Sequence, residues 1–341
     1  MPDRSAVPDA PPAVTGEQPG DGEARPHRSH AVLAAARRVI SGRPARWGFA
    51  LAAVSLGCYA VVDQWPDVHA SLGRIGLLTA AGALLCVLAA MAASMQSWRA
   101  LLTALGSPLP TRAAARVMFL GQLGKYVPGS IWPVLAQMEL GTTYRVPRRR
   151  SASASMLSMI VAVLTGLLTA LVTLPFVAGR TPYLWAFLAA PPLLACLYPR
   201  LLNYGLDRLF RLARRPPLEQ PLTARAIAGS VTWALAAWIC YGVQLWLLVT
   251  RVGGSAGTGL VLSIGTFAFA WCVGFLAVFA PAGAGVREVL LVALLAPVIG
   301  TGAATAVALV SRGLTTISDL LAAGVAAGYA RLTQPRPDEP G

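Results

Sequence analysis

Residues 113–139 read AAARVMFLGQLGKYVPGSIWPVLAQME, a largely apolar stretch interrupted by Gly121, Gly124, Pro128, Gly129 and Pro133. Proline removes a backbone donor and breaks helices, and glycine permits tight turns. Inside hydrocarbon every backbone polar group needs a partner, so broken backbone survives only within protein or beside a wet cavity. The stretch therefore reads as a re-entrant helical hairpin, closed by the basic run Arg145, Arg148, Arg149 and Arg150. The alternative is an amphipathic helix lying on the inner leaflet.

The surrounding composition requires a membrane. Of 341 residues, 56% are hydrophobic and 12% charged, against roughly 25% charged in soluble domains. That excludes an ordinary soluble domain, a disordered chain and a nucleic-acid-binding module. The net charge of +14 does not argue otherwise, because the basic residues fall in the gaps between apolar runs. A span needs about 20 apolar residues to cross ~30 Å of hydrocarbon. Runs near 47–63, 75–97, 154–178, 183–199, 226–249, 259–280, 286–299 and 302–329 meet or approach that length. The predicted fold is all-α: a polytopic membrane helical bundle of about eight spans plus re-entrant segments.

Residues 1–46 read as a disordered, basic tail, 47–330 as the membrane domain and 331–341 as a short polar tail. With eight spans, twenty-one Arg and Lys fall in loops on one side and three (Arg74, Arg180, Arg251) on the other. The positive-inside rule then puts both termini in the cytoplasm of a plasma-membrane protein.

Several kinds of chemistry lack their residues. The five cysteines (Cys58, Cys86, Cys196, Cys240, Cys272) sit singly in apolar runs without a CxxC pair. His27, His30 and His69 lie outside those runs, so a zinc site or an intramembrane Ser/His pair is not expected. No cofactor or metal is predicted.

A second broken place spans residues 279–288, where Pro281, Gly283 and Gly285 precede the charged pair Arg287 and Glu288. Two interrupted apolar segments in different halves of a membrane chain point to a central binding site. Charges inside spans support it, since each costs about 2.5–3.5 kcal/mol at the bilayer centre on insertion scales. Arg312 and Asp319 share one face of the last span, about 10 Å apart along its axis. They either project into one cavity or form a structural charge pair with a neighbouring helix. Lys125, the sole lysine, brings a compact ammonium suited to a phosphate or carboxylate, and Tyr126 and Trp132 are rings that favour the headgroup level. The alternative for this cluster is an interfacial anchor with a snorkelling lysine. Gly324 and Gly328 form a GxxxG run, which signals close helix packing within or between chains.

The run Gly121-Gln-Leu-Gly-Lys-Tyr-Val-Pro-Gly-Ser-Ile-Trp-Pro133 resembles the first signature of the lysylphosphatidylglycerol synthase membrane-domain family, also called flippase-like membrane proteins. Pro281-Ala-Gly-Ala-Gly-Val-Arg-Glu288 resembles its second, and the Arg312 helix is similar to the family's last helices. The resemblance covers residues 48–330. It implies a helical bundle that moves lipids between leaflets. In full-length relatives a soluble domain transfers an aminoacyl group from tRNA to phosphatidylglycerol; about ten polar residues follow Ala330 here, so that synthesis is not expected.

The expected function is translocation of a lipid with an anionic or aminoacylated headgroup. Lys125, Tyr126, Gly129, Trp132, Arg287, Glu288, Arg312 and Asp319 would line the headgroup cavity, and Gly124, Pro128, Pro133, Pro281, Gly283 and Gly285 would form the turns. The expected partner is membrane lipid, with a second copy or a membrane enzyme as a further partner and no nucleic acid. One alternative is a non-transporting accessory subunit of a membrane glycosyltransferase or lipid-modifying enzyme. A lipid-linked-sugar transferase is a third reading, resting on Asp63 and Asp67, which more commonly would be plain solvated residues.

Overall fold

The computed structural model describes residues 65–126, 131–178, 189–212, 222–277 and 281–333. The readings for 1–46, the first span at 47–63 and Asp63 lie outside these residues. Among the described residues the chain is entirely helical. In order run α1 (Trp65–Ala104), α2 (Thr111–Gln122), a 3-10 turn (Leu123–Tyr126), α3 (Trp132–Thr142) and α4 (Arg148–Ala178). The short helices α5 (Ala190–Cys196) and α6 (Pro199–Leu212) follow, then α7 (Ala224–Arg251), α8 (Ala256–Leu276) and a second 3-10 turn (Pro281–Gly283). Helices α9 (Val286–Ile299) and α10 (Thr301–Thr333) complete the described bundle.

Among the described residues, five helices are long and apolar enough to cross a membrane, within α1, α4, α7, α8 and α10. They coincide with five of the eight expected spans. The 183–199 run is described only from residue 189, where it holds the seven-residue α5. The 286–299 run departs from expectation. Helix α9 has 14 residues, about 21 Å at 1.5 Å each, short of the ~30 Å core. Gly285 (φ 84°) starts it and Gly300 (φ 80°) reverses the chain into α10. It is a half-length helix between two turns.

Polarity along the outside is inverted relative to a soluble fold. Leu77, Leu78 and Val325 are 88%, 85% and 73% exposed, a costly arrangement in water and the expected one against lipid tails. Inside, two apolar clusters hold the bundle. One joins Leu245, Phe267, Leu291, Leu295 and Val307, on α7 to α10. The other joins Trp98, Leu101, Val117, Leu157 and Ile227, on α1, α2, α4 and α7. Helices α1 and α7 share the most extensive interface, where the buried Ser97 hydroxyl lies 2.8 Å from that of Ser230 and 2.9 Å from its carbonyl.

Within residues 113–139, the short helices α2 and α3 pack on each other, with the 3-10 turn Leu123–Tyr126 following α2. The packed pair has the two-armed form of the expected hairpin. Its second arm is pinned by polar contacts: Ser151 Oγ donates to the Gln137 carbonyl at 3.0 Å, and Ser155 Oγ bonds Gln137 Oε1. Trp98 Nε1 donates to Ser155 Oγ at 3.2 Å, extending the chain of contacts to α1. Gly121 permits the arms to close, since a Cβ there would meet Gln137 Cγ at 2.5 Å. Gly124 is tighter in consequence, because its Cβ would meet Trp132 and Pro133 backbone at 2.8 and 2.9 Å, atoms that cannot swing aside.

Candidate functional site: a charged cavity between two turns

The tips of the two broken segments meet: the 3-10 turn Leu123–Tyr126 touches both the turn Pro281–Gly283 and α10. The first tip carries Lys125 and Tyr126 to Asp319, near the middle of α10. Lys125 Nζ lies 2.7 Å from Asp319 Oδ2, and the Tyr126 hydroxyl donates to the same oxygen at 2.6 Å. Asp319 is 4% exposed, so both donors serve a carboxylate removed from solvent. That is the compensation a buried anion requires.

The second tip is tied to α10 by Arg312, whose Nη1 donates to the Ala282 carbonyl at 3.1 Å and lies 3.5 Å from Glu288 Oε1. Glu288 Oε2 accepts from the Gly285 amide at 2.7 Å. Glu288 thus satisfies a free amide at the start of α9, where a negative charge also complements the helix dipole. The turn needs its glycines: Gly283 has φ 68°, and a Cβ there would stand 3.0 Å from the Gly274 carbonyl of α8. Close approach at Gly274 seats Arg287 against α8, its guanidinium carbon 4.3 Å from the Phe267 ring centroid. Arg287 is 8% exposed, and its Nη2 makes no hydrogen bond.

Between the tips lies a cavity of about 240 Å³. A single water needs about 10–15 Å³ of such space, so the cavity is roomy enough for several waters or a small polar group. Lys125, Tyr126, Arg287, Arg312 and Asp319 share its lining. Arg312 and Asp319, seven residues apart on α10, do not pair with each other; each takes a carboxylate or cation from a different tip.

The remaining sequence expectations divide differently. Pro133 and Gly283 line the cavity, while Gly124, Pro281 and Gly285 shape the turns. Trp132 does not line it: the residue is 45% exposed, and its backbone is what Gly124 packs on. Glu288 is likewise absent from the lining and works as cap and Arg312 partner. Pro128 and Gly129 lie outside the described residues. Asp67 heads α1, and Glu139 is an exposed residue paired with Arg148 at 2.8 Å.

The sequence reading missed the aromatic wall. Trp238, Tyr241, Trp271 and Phe275 line the cavity, with Trp238 and Trp271 edge to face at 5.2 Å and Trp271 and Phe275 stacked at 5.2 Å. Their spacings, i to i+3 on α7 and i to i+4 on α8, mark one helix face. In an apolar span that pattern does not separate a lipid-facing stripe from a cavity wall. Gly324 and Gly328 meet nothing within 4 Å of a Cβ, so among the described residues the GxxxG run packs no helix of its own chain.

No curated protein compared with the chain matches it. The family model described as Lysylphosphatidylglycerol synthase TM region matches residues 44–323, a range that contains both glycine-proline tips, Arg312 and Asp319 of α10, and the cavity between them. A helical bundle with lipid-facing flanks and that match over most of its length make the chain a membrane protein linked to lipid handling, and it belongs to the lysylphosphatidylglycerol synthase TM-region family.

Proposed function

We propose that the chain is a lipid translocase that shelters a polar headgroup in the cavity between its two turns while the acyl chains stay in the surrounding bilayer. The single observation behind this reading is the convergence of Lys125, Arg287, Arg312 and Asp319 on one cavity of about 240 Å³. A headgroup crossing hydrocarbon unaided sheds its hydration, which is expensive for a charge. Fixed charges and hydroxyls replace that hydration and lower the barrier, with no covalent step and therefore no catalyst in the enzymatic sense. The proposed setting is the plasma membrane with both termini cytoplasmic.

The test is reconstitution of the purified chain into liposomes carrying acyl-labelled fluorescent phospholipids, with loss of signal to a membrane-impermeant quencher as the readout. Transport is expected above the rate of empty vesicles, and Lys125→Ala and Arg312→Ala are each expected to lower it at least tenfold. Wild-type rates in both variants would remove these residues from the site. Asp63→Ala is expected to leave transport unchanged; abolished transport there would revive the transferase reading.

One observation favours a second reading, an accessory subunit. The open Gly324/Gly328 face of α10 is the geometry through which membrane helices approach closely, and it suits a second copy or a membrane-enzyme partner. Liposomes containing this chain alone separate the readings, because an accessory subunit would not move lipid.

A further inference from the structure

We infer that the cavity selects a lipid bearing one net negative charge on a phosphodiester, with Arg287 as the phosphate's partner, and that it disfavours aminoacylated, cationic headgroups. The inference rests on the translocase reading for how the site is used, but not for what it binds.

The charge inventory comes first. Three cations, Lys125, Arg287 and Arg312, face two carboxylates, Glu288 and Asp319, leaving one positive charge uncompensated. Both carboxylates are engaged. Asp319 Oδ2 takes Lys125 at 2.7 Å and Tyr126 at 2.6 Å, and Glu288 holds the Gly285 amide at 2.7 Å beside Arg312. Among the described residues, Asp319 is the one carboxylate lining the cavity. An ammonium on an arriving headgroup would therefore have to displace Lys125. It would also add to a surplus that is already positive. Exchange of partners inside the site does not alter this balance.

Arg287 is where the surplus resides. Its side chain is more than nine-tenths buried, it lines the cavity, and among the described residues it forms no ion pair. The guanidinium carbon stands 4.3 Å from the Phe267 ring centroid, which steadies the cation through its face rather than through its planar edge. Nη2 on that edge lacks a hydrogen bond, an unusual state for a buried donor. A guanidinium edge matches two phosphate oxygens. Arg287 also stands in the first turn of α9, whose own dipole is positive there; a bound anion relieves that opposition. The remaining wall, Tyr126, Trp238 and Thr315 among others, offers hydroxyls and rings, suited to an uncharged polar remainder such as a polyol.

The experiment compares three acyl-labelled probes in proteoliposomes of the full chain: phosphatidylglycerol, phosphatidylcholine and lysyl-phosphatidylglycerol. Phosphatidylglycerol is expected to move at least tenfold faster than lysyl-phosphatidylglycerol, with the zwitterion between them. Arg287→Gln is expected to remove that preference and Arg287→Lys to restore much of it, in variants that keep wild-type elution and helicity. In parallel, dioctanoyl forms of the same lipids and inorganic phosphate are tested for thermal stabilisation of the detergent-solubilised protein. Equal or faster transport of the lysyl form overturns the selectivity, and an unchanged preference in Arg287→Gln overturns the role of Arg287. Should no probe move while dioctanoyl-phosphatidylglycerol still stabilises the wild type selectively, translocation fails and the headgroup assignment stands. Stabilisation by inorganic phosphate alone to the same degree would make free phosphate, not lipid, the ligand.

Discussion

Asp319 accepts from both Lys125 and Tyr126 through a single oxygen, so one atom on α10 fixes the first tip. Asp319→Asn keeps the shape and removes the charge. The variant is expected to lose about 1–3 kcal/mol of stability, the scale of a charge-assisted hydrogen bond whose buried partner must be re-solvated. Lys125 is one-third exposed, so it recovers part of its hydration and the effect belongs at the lower end. Thermal melting in detergent measures it, and unchanged melting would mean the pair contributes nothing. Lys125 was legible in the sequence because it is the only lysine and stands among glycines and aromatics. The role of Glu288 was not. A charged residue beside a Pro/Gly turn looks the same whether it caps a helix or faces a ligand, and only the 2.7 Å contact to the Gly285 amide separates the two.

At the scale of elements, the hairpin of α2 and α3 and the turn that opens α9 each bring a charged side chain to α10: Lys125 to Asp319, and Glu288 to Arg312. Local sequence encodes both turns, since a side chain would clash with backbone at Gly124 and at Gly283, where a positive φ adds to the cost. Gly124→Ala is expected to open the hairpin tip, costing about 1–3 kcal/mol as an overpacked site and lowering transport with it. Gly324→Ala is its control. No atom stands within 4 Å of that position and alanine favours helix by about 0.8–1 kcal/mol, so the isolated chain should be no less stable. If cross-linking detects dimers of the wild type, the same substitution should reduce them. Thermal melts of the two variants, run side by side, decide the first pair of expectations. Stability lost equally in both would mean the tip contact is unimportant. The 286–299 run shows where element reading fails: hydropathy reports apolar character, but not whether a 14-residue helix is a short span or one arm of a turn.

Among the described residues, apolar side chains cover the outside, apolar clusters hold the inside, and the ion pairs gather at one cavity. Loop charge predicts cytoplasmic termini. In a cysteine-free background, Arg180→Cys is expected to react with an impermeant thiol reagent from outside intact cells, and Arg208→Cys only after permeabilisation. The reverse pattern would invert the topology.

The membrane class, the five long helices and the two glycine-proline interruptions were set by the sequence itself. Each follows from a local property, either apolar length or the steric freedom of glycine and proline, that needs no knowledge of neighbours. Which charges meet was settled in three dimensions. Lys125 and Asp319 are separated by nearly 200 residues, and Arg287 packs against Phe267 and Gly274 of another helix rather than against a carboxylate. Pairing of this kind depends on how helices pack, and helix packing is a sum over contacts that no single stretch of chain contains.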